Sequence, residues 1–305
     1  MSATKQETKT NVFPMFLMGG LFVVIHLFAM AMTQPFEATG LEVFENPNDP
    51  TNLLVFFITM LAVTVTILLV AKFWKKQFIQ VIILGSIAYT SFFVFYIMLS
   101  YIVVSGTLLL LLSVLAAAAL VIALVKHPEW YVINLCGIIV GVGAIGIFSI
   151  SLSILLIIVL LVGLAVYDAV SVYQTKHMID LADAVMDLKL PVMLVVPKTR
   201  DYSILKETQG IKEKLETKQE REAFFLGLGD IVMPGILVAA AFYQNIAGNG
   251  LLVALSAMVG TLIGFALLMT VVIKGKPQAG LPFLCSGAIL GYIISNLLLV
   301  GTVIL

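Results

Sequence analysis

The chain has 305 residues, of which 61% are hydrophobic and only 11% are charged, and its mean hydropathy is +1.12. Soluble domains carry about 25% charged residues, so the composition excludes a soluble globular protein and predicts a polytopic membrane protein. The net charge is zero, so nothing in the composition indicates nucleic acid binding.

Nine apolar segments are each long enough to cross a hydrocarbon layer of about 30 Å as a helix. Two of the boundaries are placed at small residues inside longer apolar regions, near 100–106 and 149–153. We therefore predict an all-α polytopic fold. The predicted spans are 12–32, 52–72, 78–100, 102–125, 130–149, 152–175, 223–244, 249–273 and 281–304.

The distribution of basic residues predicts the orientation, because Lys and Arg favour cytoplasmic loops near the ends of spans. With nine spans and a cytoplasmic N-terminus, all 17 basic residues fall on the cytoplasmic side. The first outside loop carries only acidic charges. We expect the C-terminus outside and a multi-pass protein of the cell membrane. The first eleven residues are polar, so the first span is expected to remain as an anchor.

One large polar segment, 176–222, separates the first six spans from the last three. It contains an apolar, β-branched run that is closed by Pro191 and Pro197. The run is short for a helix and is suited to an edge strand.

Two aspartates, Asp168 and Asp230, are the only acidic residues inside the long hydrophobic segments. A carboxylate in hydrocarbon costs about 2.5–3.5 kcal/mol on insertion scales, so both are candidate functional residues. Each is expected about seven residues from the cytoplasmic end of its span. Both carboxyls would then lie about 10 Å below the same surface, where they are able to meet.

An acidic pair that meets would share one proton near neutral pH. The ionised carboxylate can then take a proton from water while the protonated one hydrogen-bonds a scissile carbonyl, as in aspartic proteases. Two other interpretations stay open. The same pair suits a proton- or cation-coupled secondary transporter, or it bonds polar neighbours for structure alone.

Glycines surround the second acid in Gly227-Leu228-Gly229-Asp230, which allows another part of the chain to approach closely. The other spaced glycines are interpreted as helix-packing sites: Gly137-x-x-x-Gly141, Gly260-x-x-x-Gly264 and Gly287-x-x-x-Gly291. The histidines lack the HExxH spacing of a zinc hydrolase, so no metal or cofactor is expected, and His26 is interpreted as a hydrogen-bonded interior residue.

Tyr167-Asp168 and the GLGD sequence at 227–230 resemble the paired signatures of the presenilin and signal peptide peptidase family of GxGD intramembrane aspartyl proteases. The third signature of that family, PALP, is matched in part by Ala279-Gly280-Leu281-Pro282, which keeps the last two residues. The similarity is strongest over 155–305 and indicates a prokaryotic-type homologue.

This resemblance implies an intramembrane aspartyl endopeptidase with Asp168 and Asp230 as the catalytic pair. Tyr167, Gly227, Leu228 and Gly229 would be neighbours of the active site, and Ala279, Gly280, Leu281 and Pro282 a loop that contacts the substrate or the acids. The strand-like residues Val192, Met193, Leu194, Val195 and Val196 would pair with an unwound substrate.

The resemblance also implies two functional regions. Residues 1–150 would form a scaffold of five transmembrane helices, and 151–305, with the cytoplasmic loop 176–222, the catalytic region. The implied partners are transmembrane protein or peptide substrates and the lipid bilayer. Association with a second copy or with accessory subunits stays open at this point.

Overall fold

The structure, a computed structural model, describes residues 13–73, 76–175, 193–198, 202–203, 223–244, 248–272 and 278–303. Within these ranges the chain forms nine α-helices and one two-stranded ribbon. The helices are α1 (Phe13–Ala38), α2 (Thr51–Phe73), α3 (Lys76–Ser100), α4 (Gly106–Lys126), α5 (Trp130–Ser151), α6 (Ile154–Val170), α7 (Leu228–Tyr243), α8 (Gly250–Val272) and α9 (Leu281–Leu299).

Seven helices in the described ranges are long and apolar enough to cross a membrane. Helix α7 is shorter, with 16 residues. Both predicted breaks inside apolar regions are confirmed. Helix α3 ends at Ser100 before α4 begins at Gly106, and α5 ends at Ser151 before α6 begins at Ile154. The mainly helical architecture agrees with the fold class predicted from composition.

The ribbon consists of β1 (Met193–Pro197) and β2 (Ala223–Gly227), which pair antiparallel with Val195 opposite Phe225. The edge strand predicted from the proline-bounded run is confirmed over residues 193–197. Val192 and most of the loop 176–222 lie outside the described residues.

The prediction that the seventh helix begins near residue 223 is wrong. Residues 223–227 form β2, and the helix begins at Leu228. The segment Ala-Phe-Phe-Leu-Gly is apolar enough for either structure, and its pairing with β1 satisfies its main-chain groups as a strand. Asp230 therefore lies in the first turn of α7 and not about seven residues inside the helix.

Close helix packing depends on the spaced glycines, as predicted. A methyl group on Gly260 would collide with the main-chain carbonyl of Gly287, so α8 and α9 approach to backbone contact. His26 of α1 is fully buried, and its Nε2 donates to the carbonyl oxygen of Ile231 at 3.0 Å. The interior, hydrogen-bonded histidine is thus confirmed, and it connects α1 to α7.

Candidate active site

Asp168 lies two residues before the end of α6, with only 7% of its surface exposed. Its Oδ2 accepts a hydrogen bond from the main-chain N–H of Leu281 at 3.1 Å. The N–H of Gly280 also donates to this carboxyl group. Two consecutive amides at the start of α9 therefore hold the first acid, and such donors stabilise a carboxylate.

Asp230 lies in the first turn of α7, where its side chain sits between two glycines. A methyl group on Gly280 would come within 2.9 Å of Asp230 Oδ2 and 3.1 Å of its Cγ. A methyl group on Gly227 would lie 3.4 Å from the same Oδ2. The second carboxyl group is thus packed against bare backbone on two sides, because neither neighbour has a side chain.

Gly280 brings the two acids to one place. Its amide donates to Asp168, while its Cα faces the carboxyl group of Asp230. The two aspartates are close enough to interact electrostatically. The structure thus assembles α6, α7 and the start of α9 around the acidic pair that the sequence singled out.

The loop before α9 is built into this site. Ala279 is 1% exposed, Gly280 caps the helix, and Leu281 and Pro282 form its first turn. Proline suits this position because the first helical N–H groups have no partner within the helix. Of the four predicted loop residues, Gly280 and Leu281 contact the acids through the main chain.

Two residues that connect the segments carrying the site, Tyr173 and Gln278, were not singled out from the sequence. After Val170 the chain continues as a π-helical turn, Ser171–Thr175, from which the hydroxyl of Tyr173 donates to Gln278 Oε1 at 2.7 Å. This bond connects the end of α6 to the loop before α9. A tyrosine at the end of a span has many ordinary explanations, so no local signal distinguished it.

The remaining predicted neighbours have different surroundings. The ring of Tyr167 is 63% exposed, on a different side of α6 from Asp168. Leu228 packs against α5 where Gly137 and Gly141 leave room for it. A methyl group on Gly229 would meet nothing within 4 Å. Of these three residues, Leu228 has a packing role that the structure makes visible.

The described ranges contain no group of three or more His, Cys, Asp or Glu side chains that could hold a metal ion together.

The sequence pattern of the family described as "Signal-peptide peptidase, presenilin aspartyl protease" matches residues 19–301. The chain belongs to this family of aspartyl proteases. A search of the curated proteins finds no match.

Two solved structures of a presenilin family intramembrane aspartate protease are similar to this chain. The one in space group C222 is 32% identical, with a TM-score of 0.71, and the match covers 93% of this chain and 99% of that one. The one in space group P2 is also 32% identical, with a TM-score of 0.70 and coverages of 94% and 98%. The family resemblance found in the sequence is thereby confirmed over nearly the whole chain.

These similarities, together with the seven apolar helices, show that the chain is an integral membrane protease that hydrolyses peptide bonds within the membrane. They give no support to the transporter alternative.

Proposed function

We propose that Asp168 and Asp230 are the catalytic pair of an endopeptidase that cleaves transmembrane segments of membrane proteins. The observation that carries this proposal is their convergence on Gly280 from two different helices. Membership in the aspartyl protease family agrees with a reaction that needs two acids and a water molecule.

The different surroundings of the two acids support different roles. Asp168 accepts two main-chain N–H groups, which favour keeping the negative charge of the pair on this residue. Asp230 then carries the shared proton. Ionised Asp168 takes a proton from the water, and the resulting hydroxide bonds to the carbonyl carbon while Asp230 protonates the carbonyl oxygen.

The tetrahedral diol then breaks down with the opposite proton transfers. Asp168 gives its new proton to the amide nitrogen as the C–N bond breaks, and Asp230 recovers a proton from a diol hydroxyl. The products are a carboxylic acid and an amine, and the pair returns to its starting state. The reaction uses only water and the two carboxyl groups.

A substrate helix must unwind before its peptide bonds are accessible, and an exposed strand edge can hold it extended. The sequence predicts this pairing at residues 192–196. In the structure, both main-chain groups of Val195 bond to the side chain of Asn134, at 2.7 and 2.8 Å. Val195 therefore has no main-chain group to offer an incoming strand.

The other edge of the ribbon is better placed. Main-chain groups alternate in direction along an antiparallel strand, so the groups of Phe225, opposite Val195, point away from β1. Strand β2 also leads directly into the helix that carries Asp230. We therefore place the extended substrate along β2, with its scissile bond near the acids.

Nine spans with a cytoplasmic N-terminus and an outside C-terminus complete the proposed arrangement. Helices α2, with 23 residues, and α7, with 16, would complete the nine spans beside the seven helices that are long and apolar enough to cross a membrane. The grouping of all 17 basic residues on one side supports this topology. Residues 1–150 then form the scaffold, and 151–305 the catalytic region.

Cleavage of a single-span reporter by purified protease in proteoliposomes tests the proposal. Asp168→Asn and Asp230→Asn keep the side-chain size, and each should abolish cleavage. Asp49→Asn, the same change at an acid in the first loop, should leave cleavage unchanged. A peptidomimetic with a hydroxyl in place of the scissile amide should inhibit the parent. Retained cleavage in either dyad variant would refute the assignment.

A further inference from the structure

One face of α5 supports both the ribbon and the start of α7. The residues on this face are Asn134, Gly137 and Gly141, spaced three and four apart so that they align along the helix. All three contact segments that lead to Asp230.

Asn134 binds one residue of β1 through two hydrogen bonds. Its Nδ2 donates to the carbonyl oxygen of Val195 at 2.7 Å, and its Oδ1 accepts the N–H of the same residue at 2.8 Å. The side chain is 7% exposed. The amide thus replaces a neighbouring strand at this point and satisfies a buried main-chain pair.

The two glycines give the adjacent side chains room to pack on α5. A methyl group on Gly137 would come within 2.6 Å of Leu194 Cδ2 and 3.8 Å of Leu228 Cδ1. At Gly141 it would come within 3.5 Å of the same Leu228 atom and 3.7 Å of Val232 Cγ2. Strand β1 and the first turns of α7 therefore rest on one continuous surface.

The bonds of Asn134 select the position of β1 along this surface. The strand Met-Leu-Val-Val-Pro is apolar on both faces, so its hydrophobic pattern does not distinguish one register from the next. A slip of one residue would move the strand by about 3.3 Å. Only the main-chain N–H and carbonyl groups of Val195 lie opposite the side-chain amide of Asn134, which fixes the position of β1.

The position of β1 also affects the position of Asp230, because β2 pairs with β1 and leads directly into α7. Leu194 pairs with Leu226, and the chain reaches Asp230 four residues later, after Gly227 has begun the turn into α7. We propose that Asn134 is a positioning residue that holds Asp230 in register with Gly280 and Asp168. This proposal rests on the catalytic role of Asp230 proposed above.

The test compares Asn134→Leu with two other variants in proteoliposomes. Leucine has nearly the same size as asparagine but cannot bond Val195. Asn134→Gln keeps the amide and should recover part of the lost activity. Asn296→Leu is the matched control, because Asn296 is fully buried but lies 15 residues beyond the start of α9, about 22 Å away.

The expected result for Asn134→Leu is a fall in kcat of about tenfold or more, since a displacement of about 1 Å can cost about 10²-fold. KM should rise by a smaller factor than kcat falls, because the extended substrate is placed along β2, which pairs with β1. Affinity for the hydroxyl peptidomimetic should fall by a similar factor to kcat. The Asn296→Leu control should keep all three quantities, whatever its melting temperature.

A lower melting temperature with unchanged kcat per folded enzyme would overturn the proposal, because the bonds would then be purely structural. A rise in KM with unchanged kcat would also overturn it. If Asn134→Leu does not fold, Gly137→Val displaces Leu194 on the same surface and should give the same kcat loss. Cleavage by the Asp230→Asn variant would refute the proposed function itself. If Asp230→Asn is inactive but Asn134→Leu keeps the parent kcat, only the positioning role of Asn134 is refuted.

Discussion

Substitution of Gly280 by alanine is the most direct test of the geometry of the acidic pair. The new methyl group would lie 2.9 Å from Asp230 Oδ2, whereas ordinary contacts begin at 3.4 Å. The carboxyl group must therefore move by about 0.5 Å. The backbone of Gly280 has φ −80° and ψ −47°, which alanine adopts without strain, so only the new contact perturbs the site.

The size of the effect follows from the sensitivity of catalysis to position. A displacement of about 1 Å can cost about 10²-fold in rate, so about 0.5 Å corresponds to about tenfold. Tenfold in kcat is about 1.4 kcal/mol in activation free energy. Gly280→Val adds further bulk beside both acids and should lower kcat more than Gly280→Ala does.

The assay measures kcat and KM on a single-span reporter, with the melting temperature of each variant as a check on folding. Gly85→Ala in α3 is the matched control, because its methyl group would meet nothing within 4 Å. It should keep the parent kcat. Unchanged or higher kcat in Gly280→Ala would refute a close contact between Gly280 and Asp230.

Three further changes test other parts of the structure. Leu281→Pro removes the N–H that donates to Asp168 and also disfavours the helical backbone of Gly280 before it, so kcat should fall about tenfold or more, and a normal rate would contradict the bond. Gly260→Val places a side chain against the main-chain carbonyl of Gly287 and should lower the melting temperature. The free energy of unfolding should fall by about 1–3 kcal/mol or more. An unchanged melting curve would argue against backbone contact between α8 and α9. Asp49 accepts the main-chain N–H at the start of α2, which lowers the pKa of its carboxyl group below its ordinary value. The stabilising effect of this carboxylate should be complete at pH values above its ordinary pKa. It should be lost as the pH falls through the lowered pKa of the folded protein. Asp49→Asn should remove this part of the pH dependence of the melting temperature, and identical pH curves would refute the contribution.

Features that depend on local composition were predictable from the amino-acid sequence alone. Apolar length and the small residues at 100–106 and 149–153 set the helix breaks, because a helix must match the thickness of the hydrocarbon layer. The proline-bounded run predicted β1. The unusual cost of a carboxylate in hydrocarbon singled out Asp168 and Asp230 without any structural information.

The contacts between these segments depend on the packing of the helices in three dimensions. Residues 223–227 could be helix or strand by composition, and their pairing with β1 made them a strand. The contact of Gly280 with both acids and the bonds of Asn134 to Val195 join residues far apart in the chain. Such contacts depend on the rotation and order of the helices, which a one-dimensional pattern of apolar residues does not specify.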